Sequence, residues 1–198
     1  MVWEERIQNV ISKITGKGIS VVISHHDFCF CYPVERRENF VTDVLGYFDG
    51  KGTIYLCAKN IKKVAEIYNL NTDHLAIFVY YHEEAHAHLN LEDDVSLLPK
   101  HKRMDEAFCE YYAIKKLSNY LGFSFEDLLS SNPSGFPSEI LQFVSLPRPV
   151  PYSKLWIFAQ YEILYEKNAE DLLYEYLATY DIRKKNIPAN VRAVVICK

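Results

Sequence analysis

The chain has 198 residues, of which 49% are hydrophobic and 24% charged, with a formal net charge of -4. This is the balance of a globular chain and not a disordered one, and the length suits one domain or one domain with an extension. The net negative charge offers no basic field to nucleic acid, and no run approaches the roughly 18 apolar residues of a membrane span, so neither nucleic acid nor a bilayer is an expected partner.

The opening residues Met1-Val2-Trp3-Glu4-Glu5-Arg6 carry acid and lack the apolar run of a signal peptide, so a cytoplasmic location is expected. With that location goes the expectation that Cys29, Cys31, Cys57, Cys109 and Cys197 are reduced thiols. Cys29 and Cys31 are two apart, share one face of a strand, and read as small buried hydrophobes. Lys100-His101-Lys102-Arg103 and Arg183-Lys184-Lys185 are basic clusters short enough to be solvated loops.

Residues 2–16 predict a helix, because Val2, Ile7, Val10, Ile11 and Ile14 recur at helical spacing before Gly16 and Gly18. Three β-type runs follow, Ser20 to Cys31, Val41 to Phe48 and Gly52 to Ala58. Asp49-Gly50-Lys51-Gly52 has hairpin chemistry, and the runs predict a meander of about three antiparallel strands. A short helix is expected over Ile61–Tyr68. Asn71-Thr72-Asp73 then offers N-caps for a longer helix over about 73–90. Leu91 to Arg103 is a polar connection, and the next helix runs from Met104 to about Leu121, stopped by Gly122. Ser124 with Asp127 resembles a capping box for a short helix, which Asn132-Pro133-Ser134-Gly135 breaks. After the stiff Pro147-Arg148-Pro149-Val150-Pro151, helices are expected over roughly 152–167 and 169–180, and a last strand over 189–197. The fold class is therefore α+β: a small antiparallel sheet packed on a helical core, with a helical carboxy-terminal extension. The core is placed at residues 1–121 and the extension at 122–198.

The chemistry is concentrated in His82-Glu83-Glu84-Ala85-His86, which matches His-Glu-x-x-His. Residues four apart on a helix lie one turn apart on one face, so His82 and His86 can reach one Zn²⁺ at about 2.0–2.1 Å. Glu83 then sits beside the ion without ligating it and can accept a proton from water. Leu75, Phe78, Val79, Ala85 and Leu89 form an apolar stripe that includes both histidines. Histidines on a core-facing stripe need partners for their ring nitrogens, and a shared metal is one. The blander reading is a pair of core histidines bonded to carboxylates or carbonyls.

A catalytic zinc takes three protein ligands. On the helix from Met104, Glu106, Glu110, Ala113 and Leu117 share a stripe, so both carboxylates face the same way as its apolar residues. A carboxylate there is costly unless paired or metal-bound. One can ligate, and the other can hold a ligand histidine in its tautomer. The competing reading is a solvated face or a salt bridge.

These two motifs resemble the gluzincins, in which a later helix carries Glu-x-x-x-Asp with its first Glu as ligand. Glu106 stands twenty positions after His86, with Glu110 where that pattern has Asp. The resemblance implies a zincin-like core, Glu106 as the third zinc ligand and Glu110 as the residue that orients a histidine. The layout looks more narrowly like the ImmA/IrrE-type and other minimal gluzincins, which share an opening helix and a small sheet with segments like Gly46-Tyr47-Phe48-Asp49 and Thr53-Ile54-Tyr55-Leu56. It covers roughly residues 1–121. What it implies is a zinc-dependent metallopeptidase with Glu83 as general base, acting on a peptide or protein laid along an edge strand, by resemblance 52–58.

The residue that would assist zinc in stabilising an oxyanion is open among His101, His74, Tyr80, Tyr81 and Tyr152. His88 lies off the ligand face, and His25-His26 reads as solvated. The alternative function is a zinc-stabilised or metal-free helical protein-binding module without turnover, supported by the Tyr-rich helices beyond 122. The oligomeric state is open.

Overall fold

The computed structural model describes residues 2–24, 45–89, 104–130, 136–146 and 152–175. In chain order these form α1 (Trp3–Ile14), β1 (Ser20–Ser24), β2 (Gly46–Phe48), β3 (Thr53–Cys57), α2 (Ala58–Ile67), α3 (Thr72–Leu89), α4 (Met104–Tyr120), α5 (Phe125–Ser130), α6 (Ser138–Val144) and α7 (Tyr152–Tyr165). Residues 169–175 are helical again. The class is α+β, as the patterning predicts. The expected strand at 189–197 and the cysteine pair Cys29 and Cys31 lie outside the described residues.

The local signals explain where the elements start and stop. The Asn71 side-chain oxygen accepts from the amides of Asp73 at 2.9 Å and His74 at 3.0 Å, which satisfies two of the free donors at the start of α3. Gly122, at φ 83°, closes α4, and the Phe123 amide reaches back to the Ser118 carbonyl at 2.9 Å. Ser124 Oγ accepts from the Asp127 amide at 3.2 Å ahead of α5. In the β2–β3 hairpin, the Asp49 carboxylate accepts from the amides of Lys51 at 2.7 Å and Thr53 at 2.9 Å.

The sheet has the expected three strands but not the expected path. Its order is β1-β3-β2, with β1 parallel to β3 and β2 antiparallel to it. Ser20 pairs with Thr53 and Ser24 with Cys57 on one side, and Gly46 pairs with Leu56 and Phe48 with Ile54 on the other. An antiparallel meander needs a tight turn at each step. Only β2–β3 has one, while the stretch from 25 to 52 is long enough for the crossover that a parallel pair requires. The edge assignment for 52–58 is corrected by the same order: β3 is central, and β2 is the edge strand that lies against α3.

Helix α3 is the axis of the molecule. Every residue from Leu75 to Tyr81 is buried, so the helix is covered on all sides and not along one stripe. α1 docks on its amino-terminal end, where Asp73 accepts from the Trp3 indole at 2.8 Å and from the Arg6 guanidinium. α4 packs along its length. The segments after 122 join the same core. Phe143 of α6 stacks near Phe78 at 5.2 Å between ring centroids, and Phe158 of α7 meets Phe108 at 5.4 Å. Glu162 of α7 accepts from Tyr111 and from Lys115 at 3.0 Å, tying α7 to α4.

Cys57 is disulfide-bonded. This corrects the expectation of reduced thiols at that position. Cys109 is a buried thiol outside any disulfide. Among the described residues, no helix is long and apolar enough to cross a membrane.

Candidate metal centre

His82 and His86 project from one face of α3 toward α4, and Glu106 faces them from the first turn of α4. His82 Nε2 and His86 Nε2 are 3.2 Å apart. Glu106 Oε2 lies 3.3 Å from His82 Nε2, and its other oxygen lies 3.6 Å from His86 Nε2. Each of the three residues presents one ligand atom, and those atoms lie within 4.8 Å of one another, so His82, His86 and Glu106 can hold a metal ion.

The local sequence produces this convergence in two ways. The i, i+4 spacing aligns the imidazoles, whose rings lie 5.0 Å apart between centroids. Ala85, Ala107 and Ala113 are wholly buried, and small residues on facing helices let the backbones approach until the longer side chains meet. Glu110 stands one turn beyond Glu106, with Oε1 3.7 Å from His82 Nδ1, beside the nitrogen that faces away from the cluster.

Three carboxylates dominate the electrostatics. Burial lowers the His82 imidazole, but Glu106, through both a hydrogen bond and its charge, with Glu110 and Glu83 behind it, pushes the group up to about 9. Glu83 is buried at the junction of α3 with β2. Desolvation pushes its carboxyl up to about 7, His82 and the backbone amide of Phe48 oppose that, and Glu106 and Glu110 add to it. A carboxyl titrating near neutrality is suited to exchange a proton with water or a leaving group.

The other face of α3 carries a second buried carboxylate, Glu84, which spacing alone does not mark. Tyr80 Oη donates to it at 2.5 Å and Tyr112 Oη at 3.0 Å. Burial, with Glu84 beside them, pushes both phenols well above the usual tyrosine range, so they stay protonated as donors. The signal available in the sequence is the Tyr80–Glu84 spacing of four; Tyr112 is reached only through the packing of α4. Tyr80 is thereby engaged away from the metal ligands. Tyr81 is buried, and desolvation, then Glu84 and Tyr120, push its phenol up to about 12. His74 lies two turns before His82 on α3. His88 is exposed, with its ring edge toward Tyr112 at 6.4 Å between centroids, as its place off the ligand face predicts. His25, His26, His101 and the side chain of Tyr152 lie outside the described residues.

No protein-family description matches the chain, and neither a curated protein nor a solved structure matches it. The metal centre therefore rests on its own geometry.

Proposed function

We propose that this chain is a zinc-dependent metallopeptidase of the gluzincin type, hydrolysing peptide bonds in a peptide or protein substrate. The observation that carries the reading is the approach of two α3 imidazoles and one α4 carboxylate, whose ligand atoms lie within 4.8 Å of one another, with a buried carboxyl at the adjacent position 83. His82, His86 and Glu106 would hold the zinc ion, which would supply Lewis acidity toward a carbonyl and lower the pKa of a bound water toward about 7. Glu83 takes the proton of the attacking water on a carboxylate oxygen and returns it to the leaving amine. Glu110 holds the His82 ring through its Nδ1 side, which leaves Nε2 for the metal. A cytoplasmic location belongs to the same proposal, although the disulfide at Cys57 removes the premise of reduced thiols on which it partly stood.

The test is the metal content of the purified protein, measured beside His82→Ala and Glu83→Gln variants. The parent should carry one zinc per chain and His82→Ala little. Glu83→Gln should keep zinc and lose hydrolysis of unfolded protein substrates. Zinc retained in His82→Ala refutes the ligand set. A parent that binds zinc yet hydrolyses nothing supports a zinc-stabilised binding module instead.

A further inference from the structure

Gly46 opens the edge strand β2, and its φ is not in the left-handed region, so backbone freedom does not explain a glycine there. Space does. A Cβ at position 46 would stand 2.6 Å from Val79 Cγ1, 2.9 Å from Glu83 Cγ and 3.1 Å from Glu83 Oε1, all on α3. Glycine in a strand weakens the strand, and it marks a place where another group approaches the backbone closely. The group here is the side chain at position 83. Two residues along β2, the Phe48 amide donates to the same carboxylate. The ladder explains why that amide is available. Leu45 O accepts from the Cys57 amide and the Asp49 amide donates to Thr53 O, so the odd positions of this strand face β3 and Phe48 N–H faces outward.

We propose that β2 is the device that positions Glu83: Gly46 leaves the room in which its side chain lies, and the outward Phe48 amide fixes the carboxylate at the end of that channel. The inference rests on the hydrolytic reading of the site and deepens it. Gly46 is a positioning residue that acts through Glu83. The glycine is thus required by the base and not by the hairpin, whose turn glycines are Gly50 and Gly52 at φ 71° and 104°.

The obvious variant, Gly46→Ala, also collides with Val79, whose β-branched side chain has one favoured rotamer on a helix and cannot step aside. The decisive variant is therefore the pair Gly46→Ala with Val79→Ala. It removes the Val79 Cγ1 obstruction and keeps the clash with Glu83. Val79→Ala alone is the control, and Glu83→Ala is the reference for a missing carboxylate. Two readouts need no substrate. One is hydrogen exchange of the Phe48 amide in the metal-free protein. The other is the affinity of acetohydroxamic acid for the Co²⁺-loaded protein, read from the cobalt absorption bands. The hydroxamate binds as its anion, and the proton it gives up is held by a base beside the metal.

In the double variant the Phe48 amide should exchange faster by about tenfold or more, the worth of a charge-assisted hydrogen bond. Hydroxamate affinity should fall about tenfold, toward that of Glu83→Ala, while Co²⁺ affinity stays within about twofold of the parent. Val79→Ala alone should match the parent in all three. Phe48 protection and hydroxamate affinity unchanged in the double variant overturn the proposal. So does a loss of Co²⁺ affinity, which would mean that the glycine serves the ligands and not the base. A parent that takes up no Co²⁺ sinks the metal reading and this proposal with it; a parent that binds Co²⁺ normally beside an unaltered double variant sinks this proposal alone.

Discussion

Zinc titrated into the metal-free protein at pH 7 should displace at least one proton per ion. Carboxylates hold the His82 imidazole up at about 9, so at pH 7 about 1% of it is in the neutral form that can ligate. Removing that proton lowers the affinity seen at pH 7 about 100-fold, or about 2.7 kcal/mol, below its high-pH limit. Glu83 titrates near 7, and a dication beside it expels the proton from the protonated half, adding about 0.5. The release at pH 7 is therefore about 1 to 1.5 protons, and log K should rise by about one per pH unit until it flattens near pH 9. Calorimetry in buffers of different ionisation enthalpy measures the proton count directly. Heats independent of the buffer, with affinity flat from about pH 6.5 to 9.5, would refute the charge balance and the placement of Glu106 against His82. Without metal the sign reverses. The raised His82 contributes stability below its unfolded value of 6.5, and this is lost as pH rises through about 9. Ionising Glu83 above its unfolded value of 4.5 costs further stability up to about 7. The metal-free protein should thus melt lower at pH 9 than at pH 5, while the stabilisation gained from zinc grows over the same range.

Three further outcomes follow from named contacts. Glu110→Gln should keep the fold and weaken zinc binding about 10- to 100-fold in a competition titration, the usual loss when the residue behind a ligand histidine is changed. Tyr112→Phe leaves Glu84 with one phenol in place of two and should cost about 1–3 kcal/mol in denaturant unfolding, with zinc affinity unchanged. Asn71→Ala removes the acceptor for two α3 amides and should cost about 0.5–2 kcal/mol, again with no effect on metal.

What the sequence revealed was whatever is set by neighbours along the chain. The spacing of His82 and His86, the Asn71 cap, the Gly122 stop and the Ser124 cap all act within a few residues, and each sits where the pattern places it. Glu106 was legible because its stripe on α4 carries Ala113 and Leu117, both wholly buried, which fixes the face the carboxylate must take. The failures are non-local. The pairing of β1 with β3 joins residues more than thirty positions apart, and nothing in an alternating run states the direction of its partner. α6 is one short helix behind Pro137, too brief for a period to emerge. The disulfide at Cys57 runs against an inference drawn from compartment and not from contacts.

The distribution of charge around α3 ties these observations together. A helix covered on all sides should be apolar throughout, yet α3 buries an apolar run from Leu75 to Tyr81 and then buries Glu83 and Glu84, with the half-buried His82 and His86 beside them. Each of these side chains carries a desolvation cost that must be met locally. Glu84 meets it with two phenols on one side, both held protonated as donors. On the opposite side imidazoles are set against carboxylates: Glu106 and its neighbours raise the His82 imidazole to about 9, and burial raises the Glu83 carboxyl to about 7 against the opposing charge of His82. The first arrangement fixes the helix and is inert. The second sets three carboxylates, Glu83, Glu106 and Glu110, around His82 and His86, an excess of negative charge that a bound dication would offset. Substitutions on the Tyr112 side should therefore read out as stability alone and those on the Glu106 side as metal affinity. A Tyr112→Phe variant that lost zinc while remaining folded would break that separation.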